Sequence, residues 1–438
     1  MFVPPVAWLE PLRVEDFLLG VGLVAFSLVR RNGLSVPLIP GLPIVPLLAV
    51  MAISVTAGML IGAWLLQVRI VPADVLILGQ IAKYLLLVFV VLKSLEISGS
   101  VRHLVWYTAI YLTVVSLLAA SQFWNFYNIN AWLTPHYQTR TILLGRMTAA
   151  HGDFRVTGTM GNPNYFGLMV LWLGAWTYAA AINLKNSHLL WIASFISLCV
   201  MVPGVLLTQS RTVYVGAALA LLATLFIGGK IREAKTPVIV LVAISLVVSV
   251  GYLGFLEGPL EERRFGQRLD WSSESRYTSG DARVRDSVEP LKFMITHPYL
   301  LPFGQGPSKD VLRTDSHNGY TWLAQRAGFV GLTAYIVLMC LSFQLGRRLY
   351  NDDAYTGDIR AVGMAVTLWV MVWAVGEATA NVFKDPRIMS LTMLSLAMLA
   401  HSLRERRMLE LGEGRRGQEC REDLVETWEP GVIASHLQ

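Results

Sequence analysis

The sequence predicts an all-α polytopic membrane protein with about 11–12 transmembrane helices. Of its 438 residues, 54% are hydrophobic and only 15% are charged, whereas soluble proteins carry about 25% charged residues. Its apolar runs are also long enough to cross a hydrocarbon layer of roughly 30 Å, which takes about 20 residues per helix. Because lipid offers no hydrogen-bond partner to an open backbone, these runs are expected to form helices.

The apolar runs give the order of the predicted spans. A Pro-rich segment at 34–48 leaves the count at eleven or twelve, and the N-terminus lacks a basic region and a cleavage site, so residues 17–29 are expected to be a retained span. A single transmembrane domain is predicted over residues 1–403, followed by a tail at 404–438. The predicted spans lie near residues 15–30, 43–66, 73–92, 103–121, 163–183, 188–207, 212–229, 237–256, 317–345, 360–382 and 387–403.

Short basic segments set the predicted orientation, because cytoplasmic loops carry an excess of Lys and Arg. They occur at alternate helix ends and all fall on one side, which is therefore predicted to be cytoplasmic together with the tail. The opposite, outer face then holds two long loops, residues 122–162 and 257–316. Loops longer than about 15 residues in a compact protein are usually functional or disordered.

Several classes of function are not supported by the composition. The net charge of +6 matches the excess of basic residues in cytoplasmic loops, and no basic helix interleaved with aromatics predicts nucleic-acid binding. The three cysteines, Cys199, Cys340 and Cys420, lie in two spans and the tail, so no disulfide framework is expected. The predicted outer loops contain no metal-binding spacing of Asp, His or Cys, so neither a metal nor a cofactor is predicted.

The first candidate site residue is Arg211, which stands where one predicted span ends outside and the next begins. Its guanidinium can hold a phosphate with two parallel hydrogen bonds, next to a helix N-terminus. The alternative is an interfacial anchor whose charged head reaches water.

The second candidate lies in the long outer loop, where Arg283 and Arg285 alternate with Asp281 and Asp286. These residues can form internal salt bridges, and an exposed pair of that kind contributes only about 0–1 kcal/mol. The other interpretation is that the arginines face an anionic ligand.

The third candidate is the segment at 314–332, where a polar cluster precedes a long apolar run. Asp315 or Ser316 is expected to cap a helix that begins near His317, with Asn318 beside it. This is either a capped helix with a solvated histidine or a histidine at the outer mouth of a helix seam. Small residues on one helix face let a neighbouring helix approach closely. Four of them follow at helical spacing: Thr321, Ala324, Gly328 and Gly331.

The fourth candidate is the segment at 154–167, which predicts a rigid turn into a span. Pro163 suits the first helical turn. Asn162 and Asn164 offer amide donors and acceptors at the outer level, and Arg155 adds a cation. Turn chemistry alone is the competing explanation.

Taken in order, these motifs resemble a known family. The chain reads "GTMGNPNYFG", then "TQSRT" opening a span, then Arg283 fifteen residues before Pro298, then "FGQGPS" and "SHNGYTWLAQRAGFVGL". This order resembles the bacterial O-antigen ligase and O-antigen polymerase superfamily, whose members share Ser-Arg, a loop Arg, Gly-x-Gly, His-Asn and a small-residue helix. The resemblance covers roughly residues 155–400. Arg326 departs from it, because an acidic residue is common there.

The resemblance implies a GT-C-like fold with a large periplasmic loop, in the bacterial inner membrane. It also implies an inverting, metal-independent glycosyltransferase that takes a glycan from undecaprenyl diphosphate on the periplasmic face. Ligases pass the glycan to lipid A-core and polymerases pass it to another carrier-linked repeat unit; we expect the ligase type. The sequence does not indicate an oligomeric state.

The resemblance also assigns roles by position. Arg211 and Arg283 are expected to bind and stabilise the diphosphate leaving group, since preorganised cations in a poorly hydrated site stabilise developing negative charge without a metal. His317 is expected to orient or deprotonate the acceptor hydroxyl, because a histidine with a pKa of about 6.5 can accept a proton at neutral pH. Further contacts to the diphosphate or the sugar are expected from Arg285, Arg155, Asn164 and Asn318.

Two other classes of protein remain open. A lipid-linked oligosaccharide transporter would show internal repeats and broken or polar helices near the membrane midplane. No repeat is found here, and the polar candidates gather at one face, which favours an enzyme. A scaffold for other envelope proteins would instead leave Arg211, Arg283 and His317 too far apart to reach one substrate.

Overall fold

A computed structural model describes most of the predicted helical bundle. The described residues are 43–67, 69–70, 72–98, 102–129, 156–158, 160, 162–184, 188–208, 210–227, 287–307 and 318–405. Over these residues the chain is helical and contains no strand. Seven of the described helices are long and apolar enough to cross a membrane. This confirms the prediction of a polytopic helical membrane protein.

The helices follow the predicted spans closely wherever the chain is described. The predicted spans at 15–30 and 237–256 lie outside the described residues, and the predicted domain and tail boundaries stay predictions. The helices are α1 (Ile44–Leu65), α2 (Pro72–Ser98), α3 (Arg102–Phe123), α4 (Pro163–Asn183), α5 (His188–Leu207), α6 (Arg211–Ile227), a short α7 (287–296), α8 (Gly319–Asn351), α9 (Gly357–Ala380) and α10 (386–405).

Helix α4 lies at the centre of the described bundle. Its apolar stretch is 94% buried, whereas that of α2 is 22% buried. Glycines allow this close packing, since a Cβ at Gly167 would overlap Val213 of α6 and one at Gly174 would overlap Met201 of α5. The hydrophobic effect does not drive helix association in lipid. Van der Waals packing at these small residues therefore stabilises the contacts between α4 and its neighbours.

Helix α8 is broken at Gly328, which adopts φ 64° and ψ −172°. The Phe383 ring lies 6.0 Å from the Trp322 ring and 5.4 Å from the Tyr335 ring. On a straight helix those two residues would be about 20 Å apart along the axis. The chain therefore bends sharply, and we call residues 319–327 the short arm and residues 329–351 the long arm.

This bend corrects the expectation of one continuous helix over 317–345. The four small residues do not share a single face, because Gly328 takes a backbone conformation that is essentially restricted to glycine. Gly331, on the long arm, does pack closely against Ser54 of α1. The break could not be predicted from the spacing of small residues, because Gly and Ala at that spacing also suit a straight, tightly packed helix.

The segment at 300–306 fills the bend, and we call it the glycine loop. It accepts hydrogen bonds from the long arm, Phe329 N to Leu301 O at 2.8 Å and Val330 N to Pro302 O at 3.1 Å. On the short arm, Gln325 O accepts from Gln305 N at 2.9 Å. The backbone groups released by the break are thus paired within protein, as hydrocarbon requires.

Candidate functional site

The structure describes only part of the predicted site. It places Asn164, Asn318 and the backbone of Arg211, which is the first residue of α6. The other predicted site residues lie outside the described residues, so the convergence of the two arginines with the histidine stays a prediction. Those residues are Arg155, Arg283, Arg285 and His317.

Asn164 joins the start of α4 to the start of α6. Its side-chain oxygen accepts a hydrogen bond from Ser210 Oγ at 2.8 Å, and Ser210 immediately precedes Arg211. Asn162 caps α4, with Oδ1 accepting from Asn164 N at 2.9 Å, and Pro163 occupies the first helical turn as predicted. The Oδ1 atom of Asn164 is therefore engaged in positioning the residue next to Arg211.

Gln122, at the end of α3, holds the chain that leads into α4. Its Oε1 accepts from Thr157 N at 3.1 Å and Gly158 N at 2.9 Å, and its Nε2 donates to Thr157 Oγ1 at 3.3 Å. Gln122 is not among the candidates predicted from the sequence. The available signal was a polar amide at the end of an apolar span, next to a loop rich in aromatic residues.

Arg387 joins the start of α10 to the same segment. Its Nη1 donates to Met160 O at 2.9 Å, and its Nη2 forms an ion pair with Asp385 Oδ2 at 2.6 Å. Asp385 also caps α10, since its Oδ1 accepts from the backbone N–H of Arg387 at 3.0 Å and of Ile388 at 3.3 Å. This guanidinium was also missed, although the sequence Asp-Pro-Arg at a span entrance is a typical helix start.

Asn318 caps α8, which corrects the expected cap by Asp315 or Ser316. Its Oδ1 accepts from Tyr320 N at 3.0 Å and from Thr321 N at 3.2 Å. Asn is as favourable at this position as Asp or Ser, so the helix begins later than predicted. Asp315 and Ser316 themselves lie outside the described residues.

A buried carboxylate lies beside this helix start. Glu377, near the end of α9, is fully buried, and its Oε1 accepts from Tyr335 Oη, from Trp373 Nε1 at 3.3 Å and from Phe383 N at 2.9 Å. Its Oε2 lies where a Cβ at Gly319 would be. Glu377 is not among the candidates predicted from the sequence, although an acidic side chain inside an apolar span is by itself a signal of function.

A buried arginine lies in the short arm. Arg326 is 1% exposed, and its Nη1 donates to Gly306 O of the glycine loop at 3.2 Å. The residues that precede Gly306 and Arg326 along the chain, Gln305 and Gln325, are also buried. The residue that departs from the family pattern thus contributes to the contact between the short arm and the glycine loop.

Hydrogen bonds join several of these helix ends at one end of the bundle, which we call the outer end after its predicted orientation. Tyr165 Oη donates to Ala380 O at 2.9 Å, which links the start of α4 to the end of α9. Helices α4, α6, α8 and α10 all begin there. The N-terminal ends of helices carry partial positive charge and unpaired N–H groups, so they favour anions such as phosphate. Among the described residues, no group of three His, Cys, Asp or Glu is arranged to hold a metal ion.

Fold and site together define a polytopic helical membrane protein in which hydrogen-bonded polar residues occupy the end where four helices begin. No family model matches the sequence, and no curated protein matches it significantly.

Asn318 is the N-cap of α8, and this structural role can be tested separately from its predicted contact with the diphosphate or the sugar. We expect Asn318→Ala to lower the free energy of unfolding by about 1 kcal/mol, because two backbone N–H groups lose their acceptor. Asn318→Asp restores a capping oxygen and is expected to restore stability. Thermal unfolding of the purified variants in detergent measures both effects. Equal stability of the alanine variant and the wild type would contradict the cap.

Proposed function

We propose that this chain is a membrane glycosyltransferase of the O-antigen ligase type, with a GT-C-like fold in the bacterial inner membrane. It transfers a glycan from undecaprenyl diphosphate to lipid A-core or a similar acceptor on the periplasmic face. The observation that carries the proposal is that the starts of α4 and α8 both bind the last two turns of α9, while the start of α4 also binds the start of α6. The motifs "GTMGNPNYFG", "TQSRT" and "SHNG" stand at those three helix starts.

The donor diphosphate would bind at the start of α6. Arg211 follows Ser210, which Asn164 holds at 2.8 Å, so its backbone is anchored to the start of α4. A guanidinium at that position meets a diphosphate with two hydrogen bonds, and the helix N-terminus adds partial positive charge. Arg283, Arg285 and Arg155 would supply further cations from the two outer loops.

The reaction is a displacement at the anomeric carbon. The acceptor oxygen forms a bond to that carbon from the face opposite the diphosphate, which inverts the configuration. The bond from the carbon to the diphosphate oxygen breaks, and its electron pair stays on the diphosphate. Arg211 and Arg283 stabilise that charge, while His317 takes the acceptor proton.

The polymerase alternative uses the same chemistry with another acceptor, the terminal sugar of a second carrier-linked repeat unit. A transporter for lipid-linked oligosaccharides is the candidate from a different class. The bend in α8 and the buried Glu377 favour it, since broken helices and intramembrane ionisable residues are typical of transporters. The grouping of polar residues at one end favours the enzyme.

A transfer assay decides among these functions. Purified protein in detergent is incubated with an undecaprenyl-diphosphate oligosaccharide and lipid A-core in the presence of EDTA. Glycosylated lipid A-core is the expected product, and longer carrier-linked chains without it would indicate the polymerase.

The absence of any glycan product from well-folded protein would contradict both enzymes. Translocation of the labelled donor across proteoliposomes by that same protein would then establish the transporter. For Arg211→Ala in this assay, the matched control is Arg348→Ala, because Arg348 lies in the last turn of α8 and not at its start.

A further inference from the structure

We propose that Glu377 is a positioning residue: its buried carboxylate sets the position of the short arm of α8 and so of the helix start at Asn318. The inference rests on the proposed function, in which that helix start belongs to the acceptor side of the site. It adds a residue from a helix that contributes none of the predicted site residues.

The carboxylate joins three parts of the fold through one oxygen. Glu377 Oε1 accepts from Tyr335 Oη on the long arm, from Trp373 Nε1 on α9 at 3.3 Å, and from Phe383 N in the turn after α9 at 2.9 Å. Trp373 Nε1 also donates to Tyr335 Oη at 2.7 Å. A carboxylate oxygen held by three donors has little freedom to move.

The other oxygen lies against the short arm. Glu377 Oε2 is buried without a hydrogen-bond partner in the described part of the chain, and a Cβ at Gly319 would overlap it. Gly319 is the first residue of α8, so this oxygen lies at the end of the short arm that carries partial positive charge. Only glycine leaves room for this approach.

The short arm depends on such contacts for its position. It has nine residues before the break at Gly328, and isolated helices shorter than about 12–15 residues are marginal in water. Hydrogen bonds hold the short arm to other parts of the fold. They include Gln305 N to Gln325 O at 2.9 Å and Tyr320 Oη to Ala374 O at 3.0 Å. Glu377 contacts the short arm at Gly319, its first residue. This end of the short arm is the one nearest to the proposed site.

Variants on both sides of this contact test the proposal. Glu377→Ala removes the carboxylate, and Gly319→Ala displaces it. Each is expected to raise amide hydrogen exchange in the peptide covering 319–327 by about tenfold or more. Each is also expected to lower kcat by about 10–100-fold with little change in KM for the donor, since a misplacement of about 1 Å can cost 10²-fold. The double variant is expected to match Glu377→Ala alone, because the two changes break one contact.

Glu377→Gln is the matched control. It keeps the size of the side chain and an oxygen for the three donors, so exchange and kcat are expected to remain near those of the wild type. Loss of kcat in Glu377→Gln with unchanged exchange would overturn the positioning role in favour of a chemical role for the charge. Additive effects in the double variant, or unchanged exchange in both single variants, would also overturn it.

The exchange measurement does not depend on the proposed function. If no transfer is detected with any acceptor, altered exchange in 319–327 still supports the positioning role, while the proposed function fails. If Glu377→Ala does not fold, the comparison of Gly319→Ala with Glu377→Gln decides: raised exchange in the former alone supports the proposal, and equal exchange overturns it.

Discussion

Gly328→Ala is expected to destabilise the folded protein by about 3 kcal/mol or more. At φ 64° and ψ −172°, Gly328 adopts a conformation open essentially only to glycine, and strain of this kind costs about 1–3 kcal/mol. A Cβ at this position would also overlap Pro302 O of the glycine loop. Overpacking adds about 1–3 kcal/mol, and the overlapped group is backbone that the hydrogen bond from Val330 N holds in place.

Gly79→Ala is the matched control for Gly328→Ala. Gly79 lies within α2, and a Cβ there would meet nothing within 4 Å. The same chemical change is therefore expected to leave stability unchanged or slightly raised, since alanine is the better helix former. Thermal unfolding in one detergent compares the two variants. A Gly328→Ala protein as stable as Gly79→Ala would show that the bend in α8 does not require glycine.

Arg211→Ala is expected to lower the transfer rate by about 10²–10³-fold. In the proposed reaction, the guanidinium stabilises charge that develops on the diphosphate, and removal of one such preorganised donor typically costs that factor. Arg211→Lys is expected to recover only part of the loss, because an ammonium binds phosphate as a point charge without the two-pronged geometry. Initial rates at saturating donor measure both variants.

Two controls make the Arg211 result specific. Arg348→Ala removes an arginine from the last turn of α8, whereas Arg211 is the first residue of α6. This variant is expected to leave the transfer rate unchanged. Thermal unfolding of Arg211→Ala should match that of the wild type, which separates loss of chemistry from loss of fold. A normal transfer rate in a folded Arg211→Ala protein would contradict the proposed leaving-group role.

The positions of the membrane spans could be predicted from the runs of apolar residues along the sequence. Predicted spans at 163–183 and 188–207 coincide with α4 and α5. A span needs about 20 apolar residues wherever it occurs, so this property is local and can be read without tertiary contacts. Pro163 in the first turn of α4 was predicted for the same reason, because its suitability there depends only on adjacent residues.

The contacts that shape the outer end could not be predicted in this way. Gln122 binds a segment 35 residues away along the chain, Glu377 binds Tyr335 42 residues away, and Arg387 reaches Met160 across 227 residues. No local period relates such pairs. Gln122 and Arg387 also occur at span ends, where an interfacial anchor is the simpler expectation.

The sequence by itself determined that this protein is a helical bundle in a membrane, and the order of its motifs suggested a lipid-linked glycan as substrate. Apolar length and charge asymmetry carry that information, because the bilayer imposes the same demand on every span. Only the tertiary structure decided that α8 bends at Gly328 and that Glu377 lies beneath its first residue. Those features depend on the pairing of buried polar groups between distant helices, which hydrocarbon makes obligatory but the sequence does not specify.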